Sequence, residues 1–146
     1  MPLTADADIA ALLRRTRRIA LIGASAKPDR ASYGVMTTLL DHGYEVVPVN
    51  PGLAGQQIHG QTVVATLADV DPPADMVDVF RDSSAVAGIV EEAIAHGATS
   101  LWLQLGVIDA VAAAKAEAAG LSVVMDHCPK IELRRLSVPR VLPQIP

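Results

Sequence analysis

The chain has 146 residues, twelve basic against sixteen acidic side chains, a net charge of −4 and 51% hydrophobic residues. That length is expected to make one domain, able to bury roughly 68–70% of its unfolded surface, and the apolar content excludes a disordered chain. The acidic balance and the four aromatic side chains Tyr33, Tyr44, Phe80 and Trp102 argue against nucleic acid, whose binders need a basic footprint and stacking surfaces.

The N-terminal segment, about 5–14, reads as an amphipathic helix. Residues 18–22 (RIALI), 45–49 (EVVPV), 75–80 (DMVDVF), 99–105 (TSLWLQL) and 121–125 (LSVVM) are short, aliphatic and mostly without alternation, as expected of strands covered on both faces. Between them, helical patterns at 33–42, 84–96 and 109–119 stop at Gly43, Gly97 and Gly120, where a glycine closes a helix. A weak sixth strand is expected near Thr62–Val64, beyond the second, and a short helix at 129–136. Pro139, Pro143 and Pro146 make 137–146 an irregular tail. Strands alternating with helices predict an α/β fold, a doubly wound, mainly parallel sheet of five to six strands between two helical layers.

The single Cys128 allows neither an internal disulfide nor a thiol pair for zinc, which suits a reducing cytoplasm. No stretch approaches the ~18 consecutive apolar residues of a membrane span. A soluble cytoplasmic protein without a leader, a membrane partner or a metal is expected.

In open parallel sheets ligands bind beyond the carboxyl ends of the strands, where strand order reverses. The loop there, Gly23 to Ser32, runs GASAKPDRAS, ten residues where about 2–6 are usual. Gly23 permits a tight turn, Ser32 is a candidate N-cap, and the following helix start offers N–H groups to an anion. Lys27 and Arg30 lie in the loop. Arg81, the only Lys or Arg between Ala31 and Ala114, follows the fourth strand at the same edge. Taken singly, each is a solvated charge, with Asp82 or Asp78 as natural partners for Arg81; together they point to a multiply phosphorylated ligand. The fingerprint G-x-G-x-x-G is absent, and Asn50 stands where an NAD site has its acidic residue, which disfavours NAD.

The run IALIGASAKPDRASYGVMTTLLDHGYEVVPVNP, followed by DMVDVFR, LWLQLGV and VVMDHC, resembles the small stand-alone CoA-binding proteins, similar to the CoA-binding domain of the succinyl-CoA synthetase α subunit. The resemblance covers about Ala10 to Leu136 and implies a Rossmann-like three-layer domain with coenzyme A as its cofactor and its phosphates over the Gly23-Ala24-Ser25 turn. The matching positions are Gly23, Ala24, Ser25, Lys27, Arg30, Tyr33, Gly34, Asn50, Pro51, Phe80 and Arg81. His127 departs from the pattern, since relatives more often have Arg there. The resemblance implies a binder of CoA or acyl-CoA, a small-molecule partner and no catalytic residue of its own. The alternatives are the CoA-binding component of a separately encoded acyl-CoA synthetase and an NADP-binding oxidoreductase or sensor.

The remaining polar residues read as structural. His42 and His96 sit at helix ends where a partial positive charge suits the dipole, His59 lies in a polar loop, and His127 is only sequentially adjacent to an expectedly buried Cys128. The RRTRR run at 14–18 spans a helix end and strand entry. Asp126 ends the last strand without an opposed partner, and Met76, Met125 and Trp102 read as core.

Overall fold

The computed structural model describes residues 1–141. In chain order it begins α1 (Asp6–Arg15), β1 (Arg18–Ile22), α2 (Ala31–Asp41), β2 (Glu45–Val49), β3 (Gln57–Ile58) and β4 (Gln61–Thr62). It continues β5 (Met76–Val79), α3 (Val86–His96), β6 (Ser100–Leu103), α4 (Ala110–Ala118), β7 (Ser122–Val124) and α5 (Pro129–Arg135). The five parallel strands stand in the order β2-β1-β5-β6-β7. From β1 the chain builds outward to β2 and then returns to β5 on the other side of β1, so the order reverses between β1 and β5. The fold is Rossmann-like, as the sequence implies.

Each central strand divides its side chains between two apolar layers. Ile19, Leu21, Met76, Trp102 and Val124 join α1, α2 and α5, while Ala20, Ile22, Val77, Val79, Leu101 and Leu103 join α3 and α4. This two-sided burial is why the strands read as unbroken apolar runs. Trp102 is fully buried and donates its indole N–H to the His127 carbonyl at 2.8 Å, which satisfies its one polar atom.

Asp78 is the exception in this core. It sits in register between Leu21 and Trp102, is 0% exposed, and neither carboxyl oxygen has a hydrogen-bond partner among the described residues. Burial pushes its pKa well above the usual carboxylate range.

The RRTRR segment is structural. The N–H groups of Arg17 and Arg18 both donate to Asp75 Oδ2, at 2.7 and 3.0 Å, the Arg17 guanidinium caps the carbonyls of Arg14 and Thr16, and Arg18 pairs with Glu45 at 2.6 Å. His42 bonds the Pro139 carbonyl at 2.8 Å, and His96 accepts the Ala74 N–H at 2.9 Å.

Three expectations change. The strands near 75–80, 99–105 and 121–125 are shorter at both ends, because the flanking residues turn into loops at the sheet edge. The sixth strand is a two-residue hairpin of β3 and β4, and only Val64 bridges to β2, at Val49. The helix after the first loop begins at Ala31 with Arg30 as its N-cap, so Ser32 is not the cap but a buried residue of the first turn. The segment after α5 is irregular yet held: the Val141 N–H donates to the His42 carbonyl at 2.8 Å. Residues 142–146 of the expected tail, with Pro143 and Pro146, lie outside the described residues.

Candidate functional site

The carboxyl ends of β1, β2 and β5 open into two adjoining clefts that share Gly23, Asn50, Gly52 and Arg81. The first, about 590 Å³, is walled by the whole stretch Gly23–Lys27, by Arg30–Ser32 and by Leu53 and Phe80. The second, about 570 Å³, continues over Pro51 and the 65–67 turn to α3, where Ala85, Gly88, Ile89 and Glu92 line it. Both volumes lie in the range of ligand sites.

Gly23 is dictated by the protein itself. Its φ is +88°, and a Cβ there would stand 2.3 Å from the Phe80 carbonyl oxygen. Only glycine permits β1 to turn this tightly against the end of β5. The N–H groups of Gly23 and Ala24 are both spent on the Val49 carbonyl, at 3.1 and 3.3 Å. The turn therefore offers an anion other donors than its first two residues. Among the described residues, the backbone N–H groups of Ser25, Ala26, Ala31 and Ser32 find no acceptor, and all four residues line the first cleft. The last two are the open start of α2, where unpaired N–H groups and the helix dipole favour an anion. Ser25 Oγ accepts the Lys27 N–H at 3.1 Å, which shapes the loop between these two groups.

Asn50 holds the two sides of the cleft together. Its Nδ2 donates to the Ala24 carbonyl at 2.9 Å and its Oδ1 accepts the Gly52 N–H at 2.8 Å. An acid at this position would lose the donor to Ala24, so the amide braces the loop in a way that the carboxylate of an NAD site could not.

Lys27, Arg30 and Arg81 all line the first cleft and are exposed, and none of the three forms an ion pair among the described residues. The partners considered for Arg81 are engaged otherwise. Asp82 accepts the Ser84 N–H at 3.0 Å and the Ser84 hydroxyl at 2.5 Å, and these bonds hold its carboxyl below the usual range, with a smaller contribution from Arg81. Asp78 lies in the core.

Of the residues singled out in the sequence, Gly23, Ala24, Ser25, Lys27, Arg30, Asn50, Phe80 and Arg81 meet at the first cleft and Pro51 at the second. Tyr33 and Gly34 line neither. The Tyr33 ring packs on His59 from the β3–β4 turn, centroids 4.0 Å apart, and His59 Nε2 lies 2.9 Å from Thr37 Oγ1 and 3.0 Å from the Tyr33 carbonyl. A Cβ on Gly34 would meet nothing within 4 Å. Ala26, Ala31, Gly52 and Leu53 were not singled out, and neither were the 65–67 turn and the α3 positions. Loop length could have pointed to the first two, whereas the others come from distant segments.

His127 Nδ1 bonds the Met125 carbonyl at 2.7 Å, Cys128 is buried, and Asp126 Oδ1 accepts the Gly106 N–H at 2.7 Å. These contacts brace the loops after β6 and β7. Among the described residues no group of three or more His, Cys, Asp or Glu could hold a metal ion, and no helix is long and apolar enough to cross a membrane.

Residues 17–134 match the family model described as CoA binding domain. The chain is 38% identical over 125 residues to YneT of Bacillus subtilis, an uncharacterized protein, across 86% of this chain and 91% of that one. The structure of a hypothetical protein from Pyrococcus horikoshii OT3 superposes with a TM-score of 0.87 at 37% identity, covering 94% of this chain and 96% of its own. The α subunit of ADP-forming acetate–CoA ligase I from Pyrococcus furiosus is 31% identical over 80 residues, which are 52% of this chain and 17% of that subunit.

Proposed function

The chain belongs to the CoA binding domain family, and from that premise we propose that it holds coenzyme A, free or acylated, over the carboxyl ends of β1 and β5, without catalysis of its own. The observation that carries this reading is the pairing of three exposed cations, Lys27, Arg30 and Arg81, with backbone N–H groups in the same cleft, the cations without acidic partners and the N–H groups without acceptors among the described residues. Phosphate oxygens supply what both lack: acceptors for the N–H groups of Ser25, Ala26, Ala31 and Ser32, and counter-charge for the cations. Coenzyme A carries a 3′-phosphate besides its pyrophosphate, so it uses more of this positive rim than NAD does. The second cleft, with Ala65, Ala85 and Gly88 beside Ile89, suits a flat purine, since small side chains leave room for a ring to lie against the wall.

Calorimetric titration tests the reading. CoA is expected to bind more tightly than dephospho-CoA, NAD or NADP; equal affinity for NAD and CoA overturns it. The similarity to part of an ADP-forming ligase α subunit favours a second reading, in which the chain lends its CoA site to a separately encoded synthetase partner. That reading predicts a co-purifying protein and, in the mixture, acyl-CoA formed from acid, CoA and nucleoside triphosphate.

A further inference from the structure

We propose that the loop after β6 is an acyl-chain subsite, so that the ligand class of this protein is a CoA thioester with an aliphatic chain packed on Leu105 and Ile108. The inference rests on the CoA reading above. The sheet edge makes the path continuous. The Phe80 N–H donates to the Ile22 carbonyl at 2.8 Å and the Gln104 N–H to the Val79 carbonyl at 3.3 Å, so the first residues past β1, β5 and β6 stand side by side at the usual strand spacing of about 4.8 Å. With phosphates on the first cleft and the purine in the second, the rest of the ligand has the β6 end of this edge to cross.

Two observations mark that end. Leu105 is 55% and Ile108 51% exposed, yet their loop is firmly held. The Ile108 N–H donates to Ser83 Oγ at 2.9 Å and the Gly106 N–H to Asp126 Oδ1 at 2.7 Å. Neighbouring loops thus fix two large apolar side chains in an exposed position, where they add nothing to the core. Independently, Gln104 is only 7% exposed and its Oε1 has no donor among the described residues. A buried acceptor left without a donor is costly, so the Gln104 amide gains by turning outward to a ligand amide N–H that lies between the phosphates and the apolar residues; the pantetheine arm of a CoA thioester carries such groups.

The test is calorimetric titration with CoA and its acetyl, butyryl, hexanoyl and octanoyl thioesters. Each methylene fully buried is expected to tighten binding roughly threefold to fourfold, so octanoyl-CoA should bind at least about tenfold more tightly than acetyl-CoA even with partial burial. In a Leu105→Ser, Ile108→Ser double variant the ratio of octanoyl-CoA to CoA affinity should fall to near one. Val111→Ser is the control: Val111 is 83% exposed, but it lines the groove between α3 and α4 with Ala87 and Lys115, and this variant should keep the chain-length dependence. A flat series in the wild type, with CoA itself bound, overturns the acyl subsite and leaves the CoA reading standing. So does a steep series that survives in the double variant. Failure of the wild type to bind any member overturns the CoA reading itself.

Discussion

Replacing Asp78 by Asn should change how stability depends on pH more than any surface substitution. Burial favours the protonated form of this carboxyl in the folded protein, because ionising it at 0% exposure without a hydrogen-bond partner among the described residues costs far more than in the unfolded chain, where the group titrates near 3.9. Its folded pKa is raised well above that value, chiefly by burial. Below about pH 3.9 both states hold the proton and the group adds no pH dependence. Between the unfolded and the folded pKa only the unfolded state releases it, so stability falls as pH rises, by about 1.36 kcal/mol per pH unit; above the folded pKa the loss is complete and constant. For a chain near this size 1 kcal/mol moves Tm by about 2–4 °C, so the slope amounts to roughly 3–5 °C per pH unit. Asn cannot ionise and should abolish this component. The assay is Tm by differential scanning calorimetry from pH 4 upward for both proteins, read as the difference between them, which cancels every other titrating group. A difference that does not change with pH would falsify the neutral, unpartnered carboxyl.

Arg81→Ala should weaken CoA about tenfold to a hundredfold, the worth of one charge-assisted hydrogen bond of ~1.5–3 kcal/mol. Because Arg81 makes no ion pair among the described residues, the apo Tm should barely move; a lower Tm with unchanged affinity would make it structural. The Lys27→Ala, Arg30→Ala double variant should bind CoA more weakly and with a flatter salt dependence, since exposed cations act through attraction screened over about 8 Å at physiological ionic strength. An unchanged salt slope in titrations at two ionic strengths counts against their role. Two glycine substitutions should have opposite signs. Gly23→Ala meets the Phe80 carbonyl at 2.3 Å with a φ of +88° and should lower the apo Tm. Gly34→Ala enters open space within a helix and should stabilise by about 0.5–1 kcal/mol with CoA affinity kept; weaker CoA binding by Gly34→Ala would mean that the ligand approaches α2 at that turn.

The parallel sheet was legible because its strands are buried on both faces, and aliphatic runs such as RIALI and EVVPV have no other economical place in a chain of this length. The glycine at 23 was legible too, but its cause was not: the close approach is to Phe80, a residue 57 positions away, and ligand contact is not needed to explain it. Asn50 was read as standing where an NAD site has its acid and as a position matching the CoA pattern; both its polar atoms serve the cleft wall, one of them through Ala24 in the loop after β1. The start of α2 was misplaced because the Arg30 N–H bonds back to the Lys27 carbonyl at 3.1 Å, a local turn that carries no sequence signal as clear as serine's. Tyr33 was carried over by resemblance, but a hairpin too short to show as strands brings His59 against it. The second cleft escaped notice for a similar reason: its wall joins the 65–67 turn to one face of α3, segments that only the tertiary fold brings together.

The most direct test of CoA in the first cleft is amide NMR during a titration with CoA. The N–H groups of Ser25, Ala26, Ala31 and Ser32, which find no acceptor among the described residues, should move furthest downfield as they gain phosphate oxygens. Those of Gly23 and Ala24, already bonded to Val49, should move less. Perturbations centred away from these four amides, with CoA demonstrably bound, would place the phosphates elsewhere and contradict the account.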